Sequence, residues 1–127
     1  MSHQLHLLPL EGIFAVCRLA ADAPVPGWAA GGPFVSITRT GEELSVVCRE
    51  DVIPEGVRCE RGWRCLRVSG TLDFSLIGVL ASLLDPLARA GVGVFVLSTF
   101  DTDYLLVKQA DWQRAAEVLE RSGHTVC

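Results

Sequence analysis

The stretch "STFDTD" places Ser98, Thr99, Asp101, Thr102 and Asp103 directly after the apolar run "VGVFVL". Two carboxylates so close together can share a proton or hold a divalent cation, and carboxylates mixed with hydroxyls can anchor a small polar ligand. In extended chain Asp101 and Asp103 would face the same side. The segment lies between two strand-like runs, however, where Asp is common because its side chain caps nearby backbone N–H groups. Turn chemistry or ligand contact is therefore expected, and catalysis is not. His3, His6 and His124 lie away from the hydroxyl-rich stretch in sequence, and no nucleophile motif accompanies them.

The five cysteines (Cys17, Cys48, Cys59, Cys65 and Cys127) are odd in number and include no close C-x-x-C pair. Cys17 and Cys48 sit inside apolar runs, where a free thiol behaves as a small hydrophobe. Buried or inert thiols are expected, and no metal. His124 and Cys127 have H-x-x-C spacing, which alone is a weak metal signal. "SGTLDFSLIG" lacks the glycine spacing and lysine of a phosphate-binding loop, so neither nucleotide nor another cofactor is expected.

These groups need elements to hold them. "WRCLRV" alternates large apolar and basic residues, the period-two pattern of a strand. Asp73 is positioned to cap a helix in which Leu76, Leu80, Leu83, Leu84 and Leu87 form one apolar stripe, with Gly91 as its stop. Pro86 within that stripe predicts a kink or an early frayed end. "VGVFVLS" shows no polar alternation and reads as a central strand covered on both faces. "DYLLVK" is the next strand. Asp111 then caps a second helix carrying Trp112, Ala115, Ala116 and Leu119, Gly123 ends it, and "HTVC" closes as a short strand.

The order from Trp63 onward is β-α-β-β-α-β, an α+β arrangement with four strands in one antiparallel sheet and both helices on one side. The first half supplies "GIFAVCRLA", a Pro- and Gly-rich break, and a hairpin of "FVSITRT" and "LSVVCRE" across Gly41, Glu42 and Glu43. A helical turn in "EDVIPEGVRCERG" and a linker around Gly62 follow. Residues 1–61 thus echo residues 62–127 with their helices eroded.

Eleven basic against fifteen acidic residues give a net charge of −4, with no Lys/Arg cluster to follow a phosphate backbone. Nucleic acid is not an expected partner. No apolar run approaches the ~20 residues that cross a bilayer, and the N-terminus lacks the order of a secretory signal, so a cytoplasmic protein without a membrane partner is expected.

The segment "WRCLRVSGTLDFSLIGVLASLLDPLARAGVGVFVLSTFDTDYLLV" resembles the ACT domain, a small-ligand regulatory module, and within that family the branch of the cytosolic arginine sensor and the aspartate kinase regulatory domains. "ITRTGEELSVVCRE" is similar to the companion ACT-like half of short bacterial proteins in that branch. The resemblance implies two ferredoxin-like modules in tandem, the N-terminal one (1–61) degenerate and the second (62–127) complete. It implies an allosteric protein that binds a free amino acid where two modules meet, which for so short a chain means a homodimer. The ligand loop carries over onto Gly70, Thr71, Leu72, Asp73, Phe74 and Ser75, and the adjacent strand and its exit onto Val94, Phe95, Val96, Ser98, Thr99 and Asp101. A loop entering a helix N-terminus offers unpaired N–H groups to an α-carboxylate, and Asp101 or Asp73 can meet an α-ammonium. Bulky Leu72 and Phe74 support an alternative, a closed pocket in a module that only dimerises or docks to another protein. The regulated protein is not identified by the sequence.

Overall fold

The computed structural model describes residues 4–69 and 77–127. Among them the chain forms β1 (His6–Pro9), β2 (Phe14–Leu19), β3 (Ser36–Arg39), β4 (Leu44–Arg49), β5 (Arg58–Val68), α1 (Val79–Arg89), β6 (Val94–Ser98), β7 (Asp103–Lys108), α2 (Trp112–Arg121) and β8 (Thr125–Val126). This is the expected mixture of helices and a mainly antiparallel sheet. Two compact units divide it: residues 11–63, and residues 1–10 together with 64–127.

In residues 11–63 the strands run in the order β3, β4, β2, β5, each antiparallel to its neighbour. Alternation fixes the buried face, because Leu44, Val46 and Cys48 of β4 meet Ala15 and Cys17 of β2 with Ala29 and Ile53. The β3–β4 hairpin forms where expected. Its loop is closed by Thr40, whose hydroxyl accepts from the N–H groups of Glu42 and Glu43 at 3.1 Å each. Single 3-10 turns at Gly27–Ala29 and Glu50–Val52 replace longer helices.

Gly62, expected in a linker, lies instead inside β5. The β2–β5 register passes from Phe14↔Trp63 to Val16↔Glu60, so two steps on β2 oppose three on β5, and Gly62 takes the extra step at φ +83. A bulge of this kind needs the left-handed region that glycine enters freely. Glu50 braces it by accepting the Gly62 N–H at 3.1 Å.

In the other unit β5 is flanked by β7 and β1, with β6 outside β7 and β8 outside β1. The sheet therefore has five strands where four were expected. His6–Pro9 lies between β5, to which it is antiparallel, and β8, to which it is parallel. "VGVFVLS" also departs from its reading as a central strand. Among the described residues β6 pairs with β7 alone, and Val94 to Leu97 are only half-buried. Leu83 and Leu87 of α1 and Ala115, Val118 and Leu119 of α2 pack on Leu66, Val68, Leu105 and Val107. Each strand thus presents one alternating row to the helices.

Helix α1 does not stop at Pro86 but continues to Arg89. Proline has no N–H, so the Ser82 carbonyl loses its usual partner one turn on. His124 fills that role: Nε2 lies 3.0 Å from the Ser82 carbonyl, while Nδ1 accepts the Leu5 N–H at 3.1 Å. With Nδ1 accepting, Nε2 carries the hydrogen and donates it. Gly91 and Gly123 follow α1 and α2 at φ +74 and +99, as stop signals should. Asp111 stands at the start of α2, but its carboxylate accepts from Arg114 Nη2 at 3.1 Å and makes no cap bond.

Candidate functional site

The β6–β7 hairpin ends in a narrow turn built from most of its own polar groups. Ser98 and Asp103 form the last cross-strand pair, and the Ser98 hydroxyl donates to Asp103 Oδ1 at 2.6 Å, the short distance of a charge-assisted bond. One step further, the Thr99 N–H donates to the Thr102 carbonyl at 2.8 Å, and the Thr102 N–H approaches Thr99 Oγ1 at 3.3 Å. Phe100 and Asp101 are left at the tip. Both are exposed, Phe100 at 79%. Among the described residues the Asp101 carboxylate has no ion pair or hydrogen bond.

Thr102 ties this turn to the sheet. Its side chain is buried, and its hydroxyl donates to the Val68 carbonyl at 2.8 Å. Val68 is the last residue of β5, two positions before Gly70 in the chain. The exit of β5 and the tip of the β6–β7 hairpin therefore lie at one end of the sheet. Gly70, Thr71, Leu72, Asp73, Phe74 and Ser75 themselves fall outside the described residues, as do the proposed Asp73 cap and Leu76.

Along β6, Val94 and Val96 turn toward the helix-side core, so Phe95 points to the other sheet face. Their part in a site would come through the outer backbone of the strand. Thr102 and Asp103, absent from the sequence-derived set, organise the turn on which Ser98 and Asp101 stand. The signal for them was a hydroxyl just before β7 and a carboxylate at its first position, but sequence does not say which of two neighbouring threonines faces inward.

Other candidates for chemistry resolve differently. His124 is 4% exposed with both ring nitrogens engaged, which removes it from any metal site with Cys127. Cys127 instead has His6 Nε2 at 3.1 Å from its sulfur. No group of three or more His, Cys, Asp or Glu with metal-holding geometry occurs among the described residues. Burial pushes the Cys65 thiol up to about 12, away from reactivity at neutral pH. Among the described residues no helix is long and apolar enough to cross a membrane.

A split β-α-β sheet with two helices on one side defines the ferredoxin-like class of α+β proteins. Residues 58–121 match the family model described as ACT domain, and residues 12–56 match a second model described as an N-terminal domain. The chain belongs to the ACT domain family. A crystal structure of an Agobacterium tumefaciens protein is 43% identical with a TM-score of 0.94, covering 99% of this chain and 94% of that one. The Homo sapiens "Cytosolic arginine sensor for mTORC1 subunit 1" is 37% identical over 60 residues, which are 46% of this chain and 18% of the sensor. The chain thus matches less than a fifth of that relative's length. The regulatory subunit of aspartate kinase from Thermus thermophilus, in its ligand-free form, has a TM-score of 0.60 at 11% identity, covering 89% of this chain and 93% of that one. That likeness shows the shared fold alone.

Proposed function

We propose that this chain is a non-catalytic, cytoplasmic regulatory protein that binds a free amino acid and acts as a homodimer, the ligand lying where two copies meet. The observation that carries the reading is the Thr102–Val68 bond, which joins the Asp101 hairpin to the exit of β5. In the proposed complex the residues from Gly70 to Ser75 receive the α-carboxylate, and Asp101 receives a cationic group. An exposed carboxylate at a turn tip is well placed for this, and among the described residues it has no partner to give up.

Two features support a second copy as the other wall. Among the described residues β6 is the outer strand, and Phe100 at the tip is 79% exposed, apolar area that association would bury further. An arginine-sensing relative within the family adds arginine to the amino acids worth testing first. Binding regulates only if the two states of the protein differ in affinity for the ligand.

A thermal-shift panel of free amino acids tests the reading. At a concentration 100 times the dissociation constant, a true ligand adds about 2.7 kcal/mol to folding stability. At least one amino acid should raise the melting midpoint, and Asp101→Asn should reduce that rise. A flat response to every amino acid at millimolar concentration abandons the reading.

A further inference from the structure

Three of the five cysteines converge in residues 11–63, outside the proposed ligand site: Cys17 on β2, Cys48 on β4 and Cys59 on β5. The strand registers explain the meeting. Cys17 stands directly opposite Cys59 on the β2–β5 pair, and Val46 is its opposite on β4, so Cys48 lies two residues along on the same face. All three side chains pack in one cluster, where Cys17 and Cys48 are buried and Cys59 lies at its edge. The three sulfurs form a line across adjacent strands, all as free thiols.

Access to that line is unequal. Cys17 and Cys48 are each 1% exposed, whereas Cys59 is half-buried. Cys59 packs at the margin of the cluster that buries Cys17 and Cys48, so of the three it is the one a small solute can reach. Burial pushes the Cys17 thiol up to about 12 and raises Cys48 too, while the Arg61 guanidinium acts on both in the opposite sense. The inner thiols are thus held protonated, and Cys59 is the most accessible of the three. Directly opposed residues of an antiparallel pair have Cα atoms about 4.5–5.5 Å apart, inside the roughly 4.4–6.8 Å range that a disulfide spans.

We propose that Cys59 and Cys17 are a reversible redox pair, oxidised through Cys59 by hydrogen peroxide or a similar small hydroperoxide. In the first step the Cys59 sulfur attacks a peroxide oxygen, the O–O bond breaks, and the departing hydroxide leaves as water with the thiol proton. Cys59 is then a sulfenic acid. In the second step the Cys17 sulfur attacks the Cys59 sulfur, the S–O bond breaks, and hydroxide again leaves as water with the Cys17 proton. One disulfide and two waters result from two thiols and one peroxide.

Peroxide treatment of the full folded chain, alkylation of the remaining thiols, and mass spectrometry of the unreduced digest test this. A peptide pair joined through Cys17 and Cys59 is expected, and dithiothreitol should release it. Cys127→Ser should retain the link. Cys59→Ser, with its fold checked by circular dichroism, should lose every link to Cys17. Complete alkylation of Cys17, Cys48 and Cys59 after peroxide would overturn the proposal, as would a Cys17–Cys48 link that persists in Cys59→Ser. The wild-type digest decides the question even where the variant folds poorly.

Discussion

Thr102 donates a hydrogen bond from a buried position to the carbonyl that ends β5, and this single contact fixes the hairpin against the strand exit. Thr102→Val keeps the shape and removes the donor, leaving the Val68 carbonyl unsatisfied. A loss of about 1–3 kcal/mol is expected in urea unfolding. His124 has a comparable role for two backbone groups, the Leu5 N–H and the Ser82 carbonyl. His124→Ala should cost about 2–4 kcal/mol by stranding both, and the cost should shrink by about 1 kcal/mol in a Pro86→Ala background, where the helix regains an N–H for Ser82. A double-mutant cycle by urea unfolding measures this coupling. Cys65 gives a pH signature. Its folded thiol is held at about 12 against 9.0 for the free group. Below pH 9 both states keep the proton and the stabilisation is complete; between pH 9 and 12 the unfolded thiol ionises first, so stability falls, by up to about 1.4 kcal/mol per pH unit. Unfolding of Cys65→Ala across that range should show a shallower decline than wild type.

Element by element, strongly periodic segments were legible and short or interrupted ones were not. The leucine stripe of α1, the β3–β4 hairpin and the order from β6 to β8 follow from spacing, because each buries one regular face. β1 offers only "HLLP", four residues with no alternation, and its strand character comes from β5 and β8 on either side. Gly62 reads as a break in sequence because a bulge and a linker ask for the same backbone freedom; only the opposing register on β2 separates them. Pro86 reads as a terminator because its lost hydrogen bond is visible in sequence, whereas the histidine that serves the stranded carbonyl is 42 residues from it by the Ser82–His124 separation. The apolar run of β6 reads as a central strand because periodicity reports apolar character, not position in the sheet: Val94 and Val96 pack on the helix-side core, while among the described residues the strand pairs with β7 alone.

At the scale of the whole molecule, the α+β class and the family were legible because the run from Trp63 to Val107 combines a recognisable order with a specific polar hairpin. The turn of the candidate site was legible in part. Ser98, Thr99 and Asp101 stand at the hairpin as expected, but the bonds that position them come from Thr102 and Asp103, whose inward direction only the fold reveals. The proposed ligand would require contributions from two copies, so the most direct measurement is a crystal structure of the protein grown with a mixture of free amino acids. An amino acid should be found between two copies, its cationic group on Asp101 and its carboxylate beside Gly70. Copies that make no such junction, or an amino acid held away from Asp101, would contradict the account.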